Sequence, residues 1–136
     1  MDDVIQALKK EHQLIHAAIG RLLGAAETCP SDPGALAGLE RLILNHISKE
    51  DAQIYIPFKK ISEFQAAKFF DLSRRHLEEI KILALVFFEK YKGEESEILS
   101  RGFAKDLHAL AARIEERIDF EEKELFPFLT NISSRT

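Results

Sequence analysis

His46-Ile-Ser-Lys-Glu50-Asp-Ala-Gln-Ile54-Tyr-Ile-Pro57 carries a histidine and a glutamate four residues apart, inside a run of helix formers. On an α-helix, positions i and i+4 lie on one face, one turn apart. Two such side chains can grip one metal ion or bridge two. The apolar positions around them decide which way they face. Leu36, Leu39 and Ile43 lead in, and Ile54 and Pro57 lie beyond. The ladder 36, 39, 43, 46, 50, 53, 57 rises by threes and fours. It puts His46 and Glu50 on the stripe that turns to the core.

Arg117-Ile-Asp-Phe-Glu121-Glu-Lys-Glu-Leu-Phe-Pro127 echoes that stretch. A carboxylate again follows a basic residue by four, and an apolar pair and a proline again close the run. The ladder 103, 107, 110, 114, 117, 121, 124 turns Arg117 and Glu121 inward as well. Charged groups on two core stripes are costly unless they pair or bind a metal. The remaining chain reads as the surroundings of this polar centre.

At 136 residues the chain is expected to form one domain, 1–136, around a single core. It is 46% hydrophobic and 31% charged, an ordinary globular profile. A net charge of −4 with no basic cluster argues against nucleic acid as a partner. The acidic start Met-Asp-Asp-Val has no apolar run of signal or membrane length. The single cysteine, Cys29, excludes an internal disulfide framework. These features predict a soluble, cytoplasmic protein without a membrane partner.

Residues 3–26 read as a first helix, with the ladder Ile5, Leu8, His12, Ile15, Ile19, Leu22. His16 stands at the edge of that stripe. Thr28 to Gly34, with two prolines, reads as a turn. The second helix is expected to run to about Lys60, with Pro57 ending or kinking it. Ser62 is the expected N-cap of a third helix over 63–92, with Phe69, Leu72, His76, Ile80, Leu83 and Phe87 on its ladder. Gly93 ends it. A fourth helix covers about 94–130, loosened at Gly102, and Asn131 to Thr136 is expected to fray. The fold class is therefore all-α, an up-down-up-down four-helix bundle. Counting from the links at about 1.5 Å per residue sets His12, His46, Glu50 and His76 at one height. Arg117 and Glu121 join that level if the last helix overhangs.

One inward His on the first helix, His-x-x-x-Glu on the second, one His on the third and Glu-Glu-x-x-Leu-Phe-Pro on the fourth resemble the hemerythrin-like HHE cation-binding domain family. The resemblance covers nearly the whole chain. It implies a four-helix bundle holding non-heme iron, usually a pair of ions. It also implies binding of oxygen, response to oxygen, nitric oxide or iron, or iron-centre repair. By position, the implied ligands are His12, His46, Glu50, His76 and Glu121, with the carboxylates as bridging candidates. His16, Asp51, Glu79 and Glu122 are further donors outside the family motif. The family pattern has His where this chain has Arg117, a permanent cation that does not ligate metals. Oxygen-carrying members also have a second His where this chain has Ile80. Five donors suit one six-coordinate iron better than two, so Arg117 stands against a second ion.

The same residues fit other readings. A core His commonly serves only as a hydrogen-bonding group. Arg117 paired with Glu121 and Glu50 would make a metal-free salt-bridge network, and the bundle an interaction module. A small oxidase or peroxidase-like enzyme is a third reading. His108 lies off the inward stripe of the fourth helix and reads as surface. Phe69-Phe70 and Phe87-Phe88 read as packing residues.

Overall fold

The computed structural model describes residues 1–28, 33–58, 64–91 and 101–134. Helix α1 spans Asp2–Thr28, α2 Pro33–Glu50, α3 Phe64–Tyr91, α4 Arg101–Phe120 and α5 Phe126–Ser134. Widened π turns follow α2 at Asp51–Tyr55 and α4 at Glu121–Leu125, so α4, its π turn and α5 form one continuous rod. Asp2 and Asp3 sit in the first turn of α1, where negative charge complements the helix dipole. Pro33 opens α2, where its missing N–H has no helical partner to lose. Thr28 ends α1 and Pro33 and Gly34 open α2, so the first turn is shorter than the expected Thr28 to Gly34; the remaining residues of the links expected around Cys29, Ser62 and Gly93 lie outside the described residues.

Helix α1 packs on α2 and α4, and α3 packs on the same two, which closes a ring of four rods. This is the expected bundle, and no strand occurs among the described residues. Leu8, Leu39, Leu107 and Leu129 are fully buried, each worth roughly 1.5–3 kcal/mol of burial. Phe87, Phe88, Tyr91 and Phe103 fill one region of the core in ring contacts of 5.0–5.8 Å. Phe70 and Phe128 contribute to a second aromatic group, with Tyr55 against Phe70 at 4.8 Å.

Several expected ladder positions fail, and three of the failures share a cause. Gln53, Pro57 and Glu124 are exposed, whereas Ile54, Tyr55, Leu125 and Phe126 are buried. Each slip falls inside or just after a π turn. The Ile56 N–H reaches the Asp51 carbonyl at 2.9 Å, five residues back, and the Phe126 N–H likewise reaches Glu121. A turn of this kind accommodates one extra residue and turns the inward face onto later positions. Both bonds directly precede a proline, Pro57 and Pro127. A proline lacks the N–H for the next helical bond, and its ring crowds the carbonyl four residues back. In α3, Leu72 and Leu83 are exposed because Ser73, Leu77 and Ala84 take the inward face. Asn131–Ser134 belong to α5 rather than to a frayed tail.

Candidate metal centre

The α1 ladder delivers His12, the α2 ladder His46 and Glu50, α4 Arg117, and the first residue of the following π turn Glu121, all buried. His12 and His46 approach through their Nε2 atoms at 3.2 Å. Each holds a carboxylate with its other nitrogen. His12 Nδ1 donates to Glu122 Oε2 at 2.7 Å, and His46 Nδ1 donates to Glu11 Oε1 at 2.8 Å. An ionised carboxylate only accepts, so these bonds put the proton on Nδ1 and leave a lone pair on Nε2. Lys49 and His46 together hold Glu11 below the usual carboxylate range, against the opposing effect of burial. Phe126, stacked at 5.7 Å, flanks the His12 ring.

Glu121 Oε1 enters the same space, 2.6 Å from His12 Nε2 and 3.3 Å from His46 Nε2. The ligand atoms of His12, His46 and Glu121 all lie within 4.8 Å of one another. Three acceptors aimed at one point repel unless a positive particle sits among them. A proton is one solution: burial opposes a charged His12, yet Glu121 and Glu122 hold its pKa above the ordinary value. A metal ion is the other.

Glu50 completes this half of the centre. It has no exposed surface, and no nitrogen or hydroxyl group reaches either carboxylate oxygen; its polar neighbour is the Glu121 carboxylate, which it can bond only as the protonated acid. Its Oε2 lies 3.9 Å from His46 Nε2. Burial, reinforced by the Glu121 charge, pushes its pKa well above the usual range. Leaving such a group unsatisfied costs about 1–3 kcal/mol, more when it is charged.

The other half belongs to Arg117. Its Nε donates to Glu121 Oε2 at 2.6 Å. Its Nη1 donates to the Ser73 carbonyl at 2.9 Å and faces His76 Nδ1 at 3.2 Å, and Nη2 donates to the Tyr55 hydroxyl at 2.8 Å. Tyr55 and Ser73 join their hydroxyls at 2.5 Å. The Phe120 ring lies 5.1 Å from the guanidinium carbon. Burial works against the Glu121 charge, but Nε2–H bonds from the histidines, available when those nitrogens carry the proton, and the Arg117 charge keep its pKa well below the ordinary value. Burial pushes the Tyr55 hydroxyl up to about 12 even with Arg117 beside it. A cavity of about 20 Å³ meets the centre at His46, Arg117 and Glu121; the rest of its wall is aliphatic, including Ile15, Ile43 and Ile114.

Four of the expected residues, His12, His46, Glu50 and Glu121, therefore share one layer. His76 is half-buried and turns Nδ1 to Arg117, away from the His12–His46–Glu121 cluster. Arg117 pairs with Glu121, as expected, while no nitrogen or hydroxyl donor reaches Glu50. His16 is 74% exposed and pairs with Glu115 on the surface. Asp51 pairs with Arg74, and Glu79 is exposed. Glu122 belongs to the centre as the support of His12. Glu11, Tyr55 and Ser73 were not foreseen. A hint existed for Glu11, which precedes His12 and can reach across to the second helix. Tyr55 lies beyond the π turn that displaces the ladder.

A four-helix bundle that gathers histidine Nε2 atoms and glutamate oxygens at one buried point has the donor set of a cation-binding bundle. The chain matches the family model of the hemerythrin HHE cation binding domain over residues 3–129, and it belongs to that family. Neither the curated proteins nor the solved structures gave a significant match. No described helix is long and apolar enough to cross a membrane.

Proposed function

We propose that this chain is a hemerythrin-type non-heme iron protein that binds or responds to O2, NO or iron, and that His12, His46, Glu50 and Glu121 hold the ion. One observation carries the reading: two histidines anchored through Nδ1 turn their Nε2 atoms toward Glu121 Oε1, beside a Glu50 carboxyl that no nitrogen or hydroxyl donor reaches. Imidazole nitrogens mixed with carboxylates suit iron among the first-row metals and disfavour an oxygen-only ion such as Mg²⁺ or Ca²⁺. Bound iron supplies a coordination position for a small ligand and a change of oxidation state. The chain supplies the rest: Glu11 and Glu122 orient the imidazoles, and the aliphatic wall keeps bulk water out. The adjoining cavity of about 20 Å³ has room for roughly one water-sized molecule, the size class of a diatomic gas.

The competing reading is a metal-free interaction module. Its support is the Arg117 network, which satisfies Glu121, Tyr55 and Ser73 without an ion. Metal analysis of protein purified without chelator separates the two, together with anaerobic titration with ferrous iron. An ion at a hundredfold excess over its Kd stabilises by about 2.7 kcal/mol, a rise of several degrees in Tm for a domain of this size. Protein that carries no metal and does not shift with ferrous iron would overturn the iron reading.

A further inference from the structure

The polar layer has two halves that meet at one carboxylate. Glu121 Oε1 faces the His12 and His46 nitrogens, and Glu121 Oε2 takes the Arg117 Nε–H at 2.6 Å. A carboxylate that bridges two metal ions divides its oxygens in the same way. Here one of the two positive partners is a guanidinium. The groups around that guanidinium are all acceptors toward it: Glu121 Oε2, the Ser73 carbonyl, the Tyr55 oxygen and His76 Nδ1. An oxygen- and nitrogen-seeking cation would want the same groups. Arg117 is only 3% exposed, so its charge cannot relax into water.

We infer that the Arg117 guanidinium is a built-in substitute for a second cation, and that the centre is made for a single ion. This rests on the cation-binding function proposed above. That ion has His12, His46 and Glu121 as ligands, a two-histidine, one-carboxylate set that suits ferrous iron with open positions. Glu50, fully buried and reached by no nitrogen or hydroxyl donor, is the fourth ligand. His76 is not a ligand of this ion; it is a support of the arginine. Arg117 also repels a second ion from its half of the layer.

Manganese(II) is the probe, because its magnetic resonance reports nuclearity independently of stoichiometry. Wild-type protein loaded anaerobically with excess Mn(II) or Fe(II) and freed of loose metal is expected to retain one ion per chain. Its Mn(II) spectrum is expected to show the hyperfine pattern of an isolated ion. Arg117→His removes the fixed charge, frees Glu121 Oε2 and His76 Nδ1, and adds a nitrogen ligand; its stoichiometry should approach two, with an exchange-coupled spectrum. Two retained ions or a coupled spectrum in the wild type overturns the inference and leaves the iron reading standing. One ion in both proteins also overturns it, since Arg117 is then not what limits the site. No ion in the wild type but two in Arg117→His means that Arg117 closes the whole centre, which again overturns it. No ion in either protein overturns the cation-binding reading itself. If Arg117→His does not fold, the wild-type stoichiometry and spectrum decide alone.

Discussion

Glu50 is the one buried side chain among the described residues whose oxygens no nitrogen or hydroxyl group reaches; its polar neighbour is the Glu121 carboxylate. In the metal-free protein its carboxyl stays protonated well above the usual range, because burial and then the Glu121 charge disfavour the anion. The unfolded chain ionises it near the ordinary value. The folded state therefore binds more protons there, and this contribution weakens stability as pH rises above the unfolded pKa toward the folded one. Glu50→Gln should flatten that fall in metal-free melting temperature between mildly acidic and alkaline pH. It should also shrink the shift caused by ferrous iron. An unchanged pH slope would show that the carboxyl is not held protonated. Glu11→Gln and Glu122→Gln take away the charge that supports each imidazole. Each should weaken iron binding about 10–100-fold, read by anaerobic ferrous titration, while the helical circular dichroism stays the same. His76 works in the opposite pH direction. Burial and Arg117 depress its pKa, so its contribution is complete above the unfolded value and is lost as pH falls through the folded one. The inward placement of His12, His46, Glu50 and Glu121 was legible in the sequence because a position on an apolar stripe is a local fact. Glu11 and Ser73 were not, because they act on neighbouring helices, and a single sequence does not fix how those helices are rotated.

The π turns explain what the ladders missed at the level of the element. Read as pure α-helix, the sequence carries the inward stripe from Glu50 to Gln53 and Pro57. The extra residue instead lands Ile54 and Tyr55 inside, and Tyr55 becomes an acceptor for Arg117. The cue was present in the prolines that follow both turns, but Pro57 was read as an end or a kink, and the fourth helix was carried through Pro127 as if regular. Removing the extra residue should be mild. Deleting exposed Gln53 leaves Ile54 and Tyr55 three and four positions after Glu50, the ordinary inward spacing of an α-helix. That deletion should keep cooperative melting. Deleting Ser48, equally exposed but between His46 and Glu50, breaks their spacing and turns one of the two out of the core by about 100°. It should abolish iron binding and much of the stability. Equal damage from the two deletions, judged by thermal melts and metal content, would show that the π turn is not a spare residue.

Across the whole molecule, the bundle and the order of its helices could be read from four amphipathic runs, because short links leave antiparallel neighbours as the simple packing. The exposed apolar residues of α3 were misjudged. Leu72 and Leu83 fit a helical ladder, yet Ile82, Leu85 and Val86 lie exposed near Leu83, and several stripes on this helix are apolar. Periodicity alone does not choose among them. The meeting of His12 with Glu121 joins residues 109 apart in sequence, the first helix to the last rod. This long reach concerns time as well as equilibrium. Helices and neighbouring pairs can form early, but a contact of such span needs the chain closed from end to end, and its charged groups must also lose their water. The layer should therefore be absent at the folding barrier and close last, like a seam. In metal-free protein, His12→Ala should leave the refolding rate nearly unchanged and speed unfolding by most of its equilibrium cost. Stopped-flow refolding and unfolding across denaturant will read both limbs, and a matching slowdown in refolding would place the seam at the start of folding instead.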